Sequence, residues 1–179
     1  MKKDRPTIAL GVTGGIAAFK SAELCGKLVQ AGFTVRVLMT ENATRFVTPL
    51  TFRTLSRHDV ILSLWESEDW RPAHIALAEE AEIFAVVPAS ADFIAKYAHG
   101  IADDALTTFA AAFDGKTLLA PAMNPKMWAH AACRENVAKL VARGINFCGP
   151  VCGSVACGAE GIGRLAEVPE ILAAIEKLL

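Results

Sequence analysis

A doubly wound α/β fold, a parallel sheet with helices on both faces, is what this sequence predicts, and three observations carry the prediction. Strand-length apolar runs alternate with segments whose apolar residues recur at helical spacing. The strand-like runs are apolar at successive positions, as expected of strands covered on both faces. The first of them, residues 7–12, ends in a glycine turn that opens into a helical pattern.

Each element has its own signal. Residues 16–30 read as the first helix, stopped by Gly32, and residues 33–39 as a β-rich strand. Residues 83–87 form the next strand, closed by Pro88. Residues 91–113 read as a long helical stretch broken near Gly100. Residues 117–120 are a strand stopped by Pro121, and residues 125–143 a helix with Pro125 in its first turn. Residues 145–148 make a last short strand, and residues 168–179 an amphipathic terminal helix. Residues 58–73, with Trp65 and Trp70 among acidic residues, are the least regular part and read as a surface excursion.

The chain has 179 residues, of which 53% are hydrophobic and 21% charged, the balance of one globular domain over residues 1–179. A net charge of −1 gives no electrostatic footprint for nucleic acid. No apolar run approaches the roughly 20 residues of a membrane helix. The start, Met1-Lys2-Lys3-Asp4-Arg5-Pro6, shows no cleavage-type small-residue site, so no signal peptide is expected. The five cysteines are odd in number and form no C-x-x-C pair, which favours a reducing cytoplasm over a disulfide framework. Cys148, Cys152 and Cys157 lie close in sequence but match no zinc spacing, so no metal is expected.

In parallel sheets ligands sit at the carboxyl ends of strands, which directs attention to residues 13–16, 40–43, 88–93, 121–126 and 149–164. Gly11-Val12-Thr13-Gly14-Gly15-Ile16 lets backbone amides approach an anion at a helix N-terminus. It is not the G-x-G-x-x-G dinucleotide fingerprint, and a plain tight turn is the alternative. Ser90 and Asp92 suit either helix capping or contact with a phosphate or flavin edge. In Pro121-Ala122-Met123-Asn124-Pro125-Lys126-Met127-Trp128, two prolines fix the backbone around Asn124. Asn124 can donate its amide to a carboxylate, or simply cap the next helix. His74 sits at the start of a helical pattern and can handle a proton near neutrality, though a structural role is the bland alternative. His58, His99 and His130 have no neighbouring motif. Residues 149–164 hold five glycines, Gly149, Gly153, Gly158, Gly161 and Gly163, and read as a mobile loop able to close over substrate, with Cys157 as an acid or nucleophile. Cys25 and Cys148 read as buried packing residues.

Taken in order, the Gly14-Gly15-Ile16-Ala17 turn, His74-Ile75, the 88–93 segment, Pro121-Ala122-Met123-Asn124 with Met127-Trp128, and Ala156-Cys157-Gly158 resemble the homo-oligomeric flavin-containing cysteine decarboxylases over nearly the whole chain. The run ACGAEGIGR before Leu165-Ala166-Glu167 is most similar to the branch that acts on a phosphorylated cysteine conjugate in coenzyme A biosynthesis. A related branch acts on the C-terminal cysteine of a modified peptide. The resemblance implies a flavodoxin-like, Rossmann-type three-layer fold, bound FMN, and a homo-oligomer, a trimer or a dodecamer of trimers, with active sites between subunits. It implies that Gly14, Gly15, Ile16, Thr40, Ser90, Ala91, Asp92, Phe93, Ala122 and Met123 hold FMN. His74 is then the proton-handling group over the flavin and Asn124 the carboxylate ligand. Ser154, Val155 and Ala156 line the substrate, and Cys157 delivers a proton. Two departures stand out: many members have Asn-Thr where this chain has Asp92-Phe93, and methionine where it has Leu165. The first bears on contacts with the flavin phosphate.

Overall fold

The structure is a computed structural model and describes residues 6–65, 71–154, 156 and 158–179. In chain order the elements are β1 (Thr7–Val12), α1 (Ala18–Gln30), β2 (Thr34–Met39), α2 (Glu41–Thr44), α3 (Pro49–Ser56), α4 (Ala73–Glu80), β3 (Ile83–Ala89), α5 (Ala91–His99), α6 (Ala105–Ala112), β4 (Lys116–Pro121), α7 (Pro125–Ala129), α8 (Ala131–Ala142), β5 (Asn146–Phe147), β6 (Val151–Ser154), β7 (Glu160–Arg164) and α9 (Val168–Glu176). Five strands form one parallel sheet in the order β2-β1-β3-β4-β5. That is the flavodoxin-like arrangement of three layers.

Alternation along β1 divides the molecule into two cores. Ile8, Leu10 and Val12 face one side, where α1 contributes Leu24, Cys25 and Leu28, α3 contributes Phe52, and α9 contributes Ile171 and Ile175. Ala9 faces the other, with Phe84 and Val86 of β3, Phe93 and Ile94 of α5, Leu106 and Phe109 of α6, and Leu140 of α8. Gly11 belongs here because α6 crosses close above it: a Cβ would lie 2.8 Å from Leu106 Cδ1 and 3.2 Å from the Phe84 ring. Phe84 is the centre of an aromatic cluster, edge-on to Phe109 at 4.9 Å, Phe113 at 6.0 Å and Phe93 at 6.3 Å between centroids.

The helix ends follow local chemistry. Ser90 caps α5 by accepting from Phe93 N–H at 3.2 Å, and Gly100 ends that helix at φ 69°. Asp104 and Thr107 form a capping box that starts α6. The expected break near Gly100 is therefore present.

Three expectations are corrected, and two short helices are added. The 125–143 helix is two helices, because His130 takes an extended ψ of 136°, ends α7, and caps α8 through its ring nitrogen, which accepts from Ala132 N–H at 3.3 Å. The 149–164 segment is not a featureless loop: β6 and β7 pair antiparallel outside the main sheet. Main-chain pairing satisfies this glycine-rich stretch without a core of its own. The strand at 145–148 shrinks to β5, at the sheet edge. The short α2 and α3 were not anticipated; Pro49 opens α3 from its first turn. Trp65 is 89% exposed, in keeping with a surface excursion, while Trp70 lies outside the described residues. No helix among the described residues is long and apolar enough to cross a membrane.

Replacing Phe84 by Ala removes the hub of the aromatic cluster. We expect a loss of about 3–5 kcal/mol in unfolding free energy, measured by urea denaturation; a loss under about 1 kcal/mol would contradict this packing account.

Candidate functional site

At the carboxyl edge of the sheet the chain divides. After β1 it turns to α1, which packs on one core, and after β3 it turns to α5, which packs on the other. The main chains of two adjacent parallel strands thus part company, and a crevice opens between them. Thr13, 1% exposed, ties the two edges together. Its hydroxyl donates to Pro88 O at 2.7 Å and accepts from Ser90 N–H at 2.9 Å. Ser21 of α1 adds a second tie, its hydroxyl donating to Val87 O at 2.5 Å.

Above these ties lies a cleft of about 620 Å³. Its floor is Gly14, Gly15, Ser90, Ala91, Ala122 and Met123, and its walls include Ile16, Phe19, Asn124, Met127, Ser154, Ala156 and Arg164. Ile16 and Phe19 are each 58% exposed, so apolar surface at the start of α1 faces open space. A second, more polar hollow of about 790 Å³ adjoins it, sharing Gly14, Ser90, Ala91 and Met127 and adding Thr40, Glu41, Asn42, Asp92 and Lys96. Gly14 stands at the junction. A Cβ there would lie 2.5 Å from Asn42 Cβ, so only glycine lets the two turns close against each other. A Cβ on Gly15 would meet nothing within 4 Å and would instead take up room beside the cleft.

The sequence-predicted residues fall into three groups. Gly14, Gly15, Ile16, Ser90, Ala91, Ala122, Met123, Asn124, Ser154 and Ala156 converge on the cleft. Thr40 and Asp92 line the adjoining hollow, where Thr40 also caps α2 through Ala43 N–H at 3.3 Å and Asp92 pairs with Lys96 at 3.3 Å. The rest do not meet there. Phe93 does not bring its side chain there: its ring is 1% exposed in the core beside Phe84 and Tyr97, and it lines neither hollow. His74, half-buried on α4, lines neither hollow of this chain. Val155 and Cys157 lie outside the described residues.

Asn124 does cap α7, its side-chain oxygen accepting from Lys126 N–H at 2.8 Å, and it also lines the cleft; the two readings of it are compatible. The β6–β7 ribbon reaches the cleft because Met123 N–H donates to Gly163 O at 2.9 Å. A side chain on Gly163 would run into Met123 O, so this close docking requires glycine. Among the other cysteines, burial pushes the Cys25 thiol up to about 12 and raises Cys133 and Cys148 as well, so these three are poor nucleophiles. Cys152 is exposed. Cys133 Sγ lies 3.7 Å from Met123 Sδ, backing the cleft floor. Phe19, Lys20 and Arg164 were given no role from sequence, and Thr13 and Met127 were named only as members of their motifs, since contacts of helix and ribbon side chains depend on how the elements dock.

A glycine-turned sheet edge, an apolar slot and a polar hollow continuous with it define a doubly wound α/β protein of the cofactor-binding kind. The chain belongs to the flavoprotein family, whose model, described as Flavoprotein, matches residues 1–179. It is 45% identical over 171 residues to the coenzyme A biosynthesis bifunctional protein CoaBC of Bacillus subtilis (strain 168), covering 95% of this chain and 42% of that protein. It is 39% identical over 175 residues to the probable phosphopantothenoylcysteine decarboxylase of Streptococcus mutans, covering 96% and 98%. The chain thus spans less than half the length of the bifunctional relatives. A structure of a mutant PPC decarboxylase complexed with pantothenoylaminoethenethiol superposes with a TM-score of 0.86 at 27% identity, over 97% of both chains. The FMN binding protein AtHal3 superposes with a TM-score of 0.82 at 27% identity, over 97% and 96%.

Replacing Thr13 by Val keeps the shape and removes the hydroxyl that joins β1 to β3. We expect about 1–3 kcal/mol of destabilisation from the unpaired buried groups left behind, and weaker flavin retention, read by thermal unfolding and by absorbance of the purified protein. Unchanged stability would show that the tie is dispensable.

Proposed function

We propose that this chain is an FMN-dependent decarboxylase of phosphopantothenoylcysteine, a carboxy-lyase forming phosphopantetheine in coenzyme A biosynthesis. The observation that carries the proposal is the cleft itself: Gly14, Gly15, Ile16, Ser90, Ala91, Ala122 and Met123, expected to hold a flavin, and Asn124, expected to hold a carboxylate, line one cleft, in a chain 39% identical to a probable phosphopantothenoylcysteine decarboxylase over nearly its full length. A compartment without strong oxidant, the cytoplasm, suits a chain with four free thiols among the described residues.

The residues fit FMN. A planar ring system would cover the exposed faces of Ile16 and Phe19, while Thr40, Ser90 and the start of α5 offer polar contacts to its ribityl phosphate. Gly14, Gly15, Ala91 and Ala122 supply a floor with little side-chain bulk, and Met123 adds an apolar thioether beside them. FMN bound there supplies reversible hydride acceptance, which side chains lack, and so allows the thiol-bearing carbon of the substrate to pass through the thioaldehyde level. A carboxylate β to a C=S group has an electron sink and leaves as CO2, giving an enethiol; return of the hydride removed in the oxidation, with a proton, would give the product thiol and need no external reductant.

The chain's own residues hold and move the rest. Asn124, fixed by its cap on α7, receives the carboxylate. His74 takes the proton that accompanies substrate oxidation. Partial burial lowers its imidazole from the usual range, which favours the neutral ring that can accept a proton. Ser154 and Ala156 line the cleft and, with Val155, are assigned to the substrate by the resemblance, and Cys157 protonates the enethiol carbon. The resemblance implies a homo-oligomer, a trimer or a dodecamer of trimers, with active sites between subunits, and His74, which lines neither hollow of its own chain, is in keeping with a site completed by a second subunit.

The first test is the absorbance spectrum of the purified protein, followed by anaerobic addition of substrate. A protein that cannot be loaded with FMN, or a yellow one that leaves phosphopantothenoylcysteine intact, would overturn the proposal. His74→Asn should keep the flavin and lose its bleaching by substrate. In wild type, bleaching should fall away only below the ordinary imidazole range, because lowering the pKa moves the protonated, inactive form to more acidic pH. Cys157→Ser should bind FMN and release CO2, yet accumulate the oxidised enethiol; mass spectrometry finding normal product at normal rate would remove Cys157 from the proton-donor role. Turnover of a C-terminal peptidyl cysteine in place of the phosphorylated conjugate would move the chain to the peptide branch.

A further inference from the structure

Two cations in the cleft have no part in the chemistry above. Lys20 Nζ lies 3.1 Å from Glu167 Oε2, and Arg164 Nη1 lies 2.8 Å from Glu167 Oε1. One carboxylate therefore serves two positive groups, and one positive charge is left over. Both cations line the cleft, and no carboxylate does among the described residues. The adjoining hollow is the opposite: Glu41, Asp92, Asp103 and Asp104 line it, and Lys96 is already engaged by Asp92 and Asp103 at 3.3 and 3.1 Å.

The guanidinium is held in place from behind. Arg164 Nε is buried with no hydrogen-bond partner among the described residues, and a Cβ on Gly153 would lie 2.8 Å from it, so β6 packs directly on the arginine stem. The ion pairs to Glu167 are themselves half-exposed, with side-chain exposures of 22% for Lys20, 42% for Arg164 and 48% for Glu167. Such pairs are weakly held and readily exchanged for a stronger anion. An arginine fork beside a lysine point charge suits a phosphomonoester, which carries more charge than the carboxylate it would displace.

We infer that Lys20 and Arg164 form an anion subsite in the cleft that takes the phosphate of the substrate and selects the phosphorylated cysteine conjugate over unphosphorylated ones. The inference rests on the decarboxylase reading. A phosphomonoester could also belong to the cofactor. The position favours the substrate: Lys20 and Arg164 share the cleft with Asn124 and Ser154, and neither lines the hollow that holds Thr40 and Asp92. Glu167 then acts as a placeholder, keeping the two cations together until substrate arrives.

The test compares kcat/KM of the holoenzyme for phosphopantothenoylcysteine and for pantothenoylcysteine. Arg164→Gln and Lys20→Gln should each lower the ratio about tenfold, the loss expected of a charged hydrogen bond, and Arg164→Lys should recover part of it. Glu167→Gln should change the ratio in the opposite direction, because it releases both cations. A merely structural network would make Glu167→Gln and Arg164→Gln fail alike, and that result, or ratios within about twofold of wild type, would overturn the subsite. Loss of preference for FMN over riboflavin, with the substrate ratio intact, would assign the phosphate to the cofactor and also overturn it. If wild type turns over neither conjugate, the decarboxylase reading fails separately. Calorimetric titration of the holoenzyme with phosphopantetheine and with pantetheine then decides the subsite. A preference that vanishes in Arg164→Gln supports it, and no preference in wild type removes it.

Discussion

The parting of β1 and β3 at their carboxyl ends is the constraint on which the molecule depends. A parallel strand must hand its chain to one face of the sheet or the other. Here α1 goes to one core and α5 to the second, so the turns between them cannot fill the space they leave. A gap in a sheet edge exposes main-chain donors and acceptors, and they need partners. Thr13 supplies one of each with a single hydroxyl, which lets the crevice stay open above it without leaving orphaned groups below. The cleft is thus a product of connectivity, and the residues around it are adapted to an opening that the fold creates anyway.

How much of this was legible in the sequence depends on which physical signal each part carries. Buried parallel strands announce themselves as continuous apolar runs, so β1, β2, β3 and β4 were readable nearly to their ends. Caps are equally local: Ser90 and Asn124 sit where a short polar side chain must meet the first amides of a helix. The convergence of the turns at 14–16, 90–91 and 122–124 followed from the rule that strand carboxyl ends share one edge. Family resemblance supplied FMN and the roles of His74 and Cys157, which no spacing alone would have given.

What escaped the sequence has physical causes too. Phe93 follows a helix start and was placed with the cofactor residues, but helical rotation turns its ring into the aromatic cluster around Phe84. His130 breaks a helix through a backbone angle that no proline or glycine marked in advance. The ribbon at residues 151–164 was masked by its glycines, which suggest looseness in a sequence yet here permit two strands to pair and to seat closely against Met123. Lys20 and Arg164 are far apart along the chain, and only tertiary docking brings both to Glu167.

The ribbon also separates two kinds of evolutionary freedom. Its backbone satisfies itself by cross-strand pairing, and its residues belong to neither buried cluster apart from half-buried Val151, which rests against one of them. Substitutions along its outer positions are therefore paid for locally, without disturbing the packing that keeps the sheet folded. The roof of the cleft and its floor therefore answer to different physical constraints: the roof to cross-strand pairing and the seating of Gly163 on Met123, the floor to the packing of the main sheet.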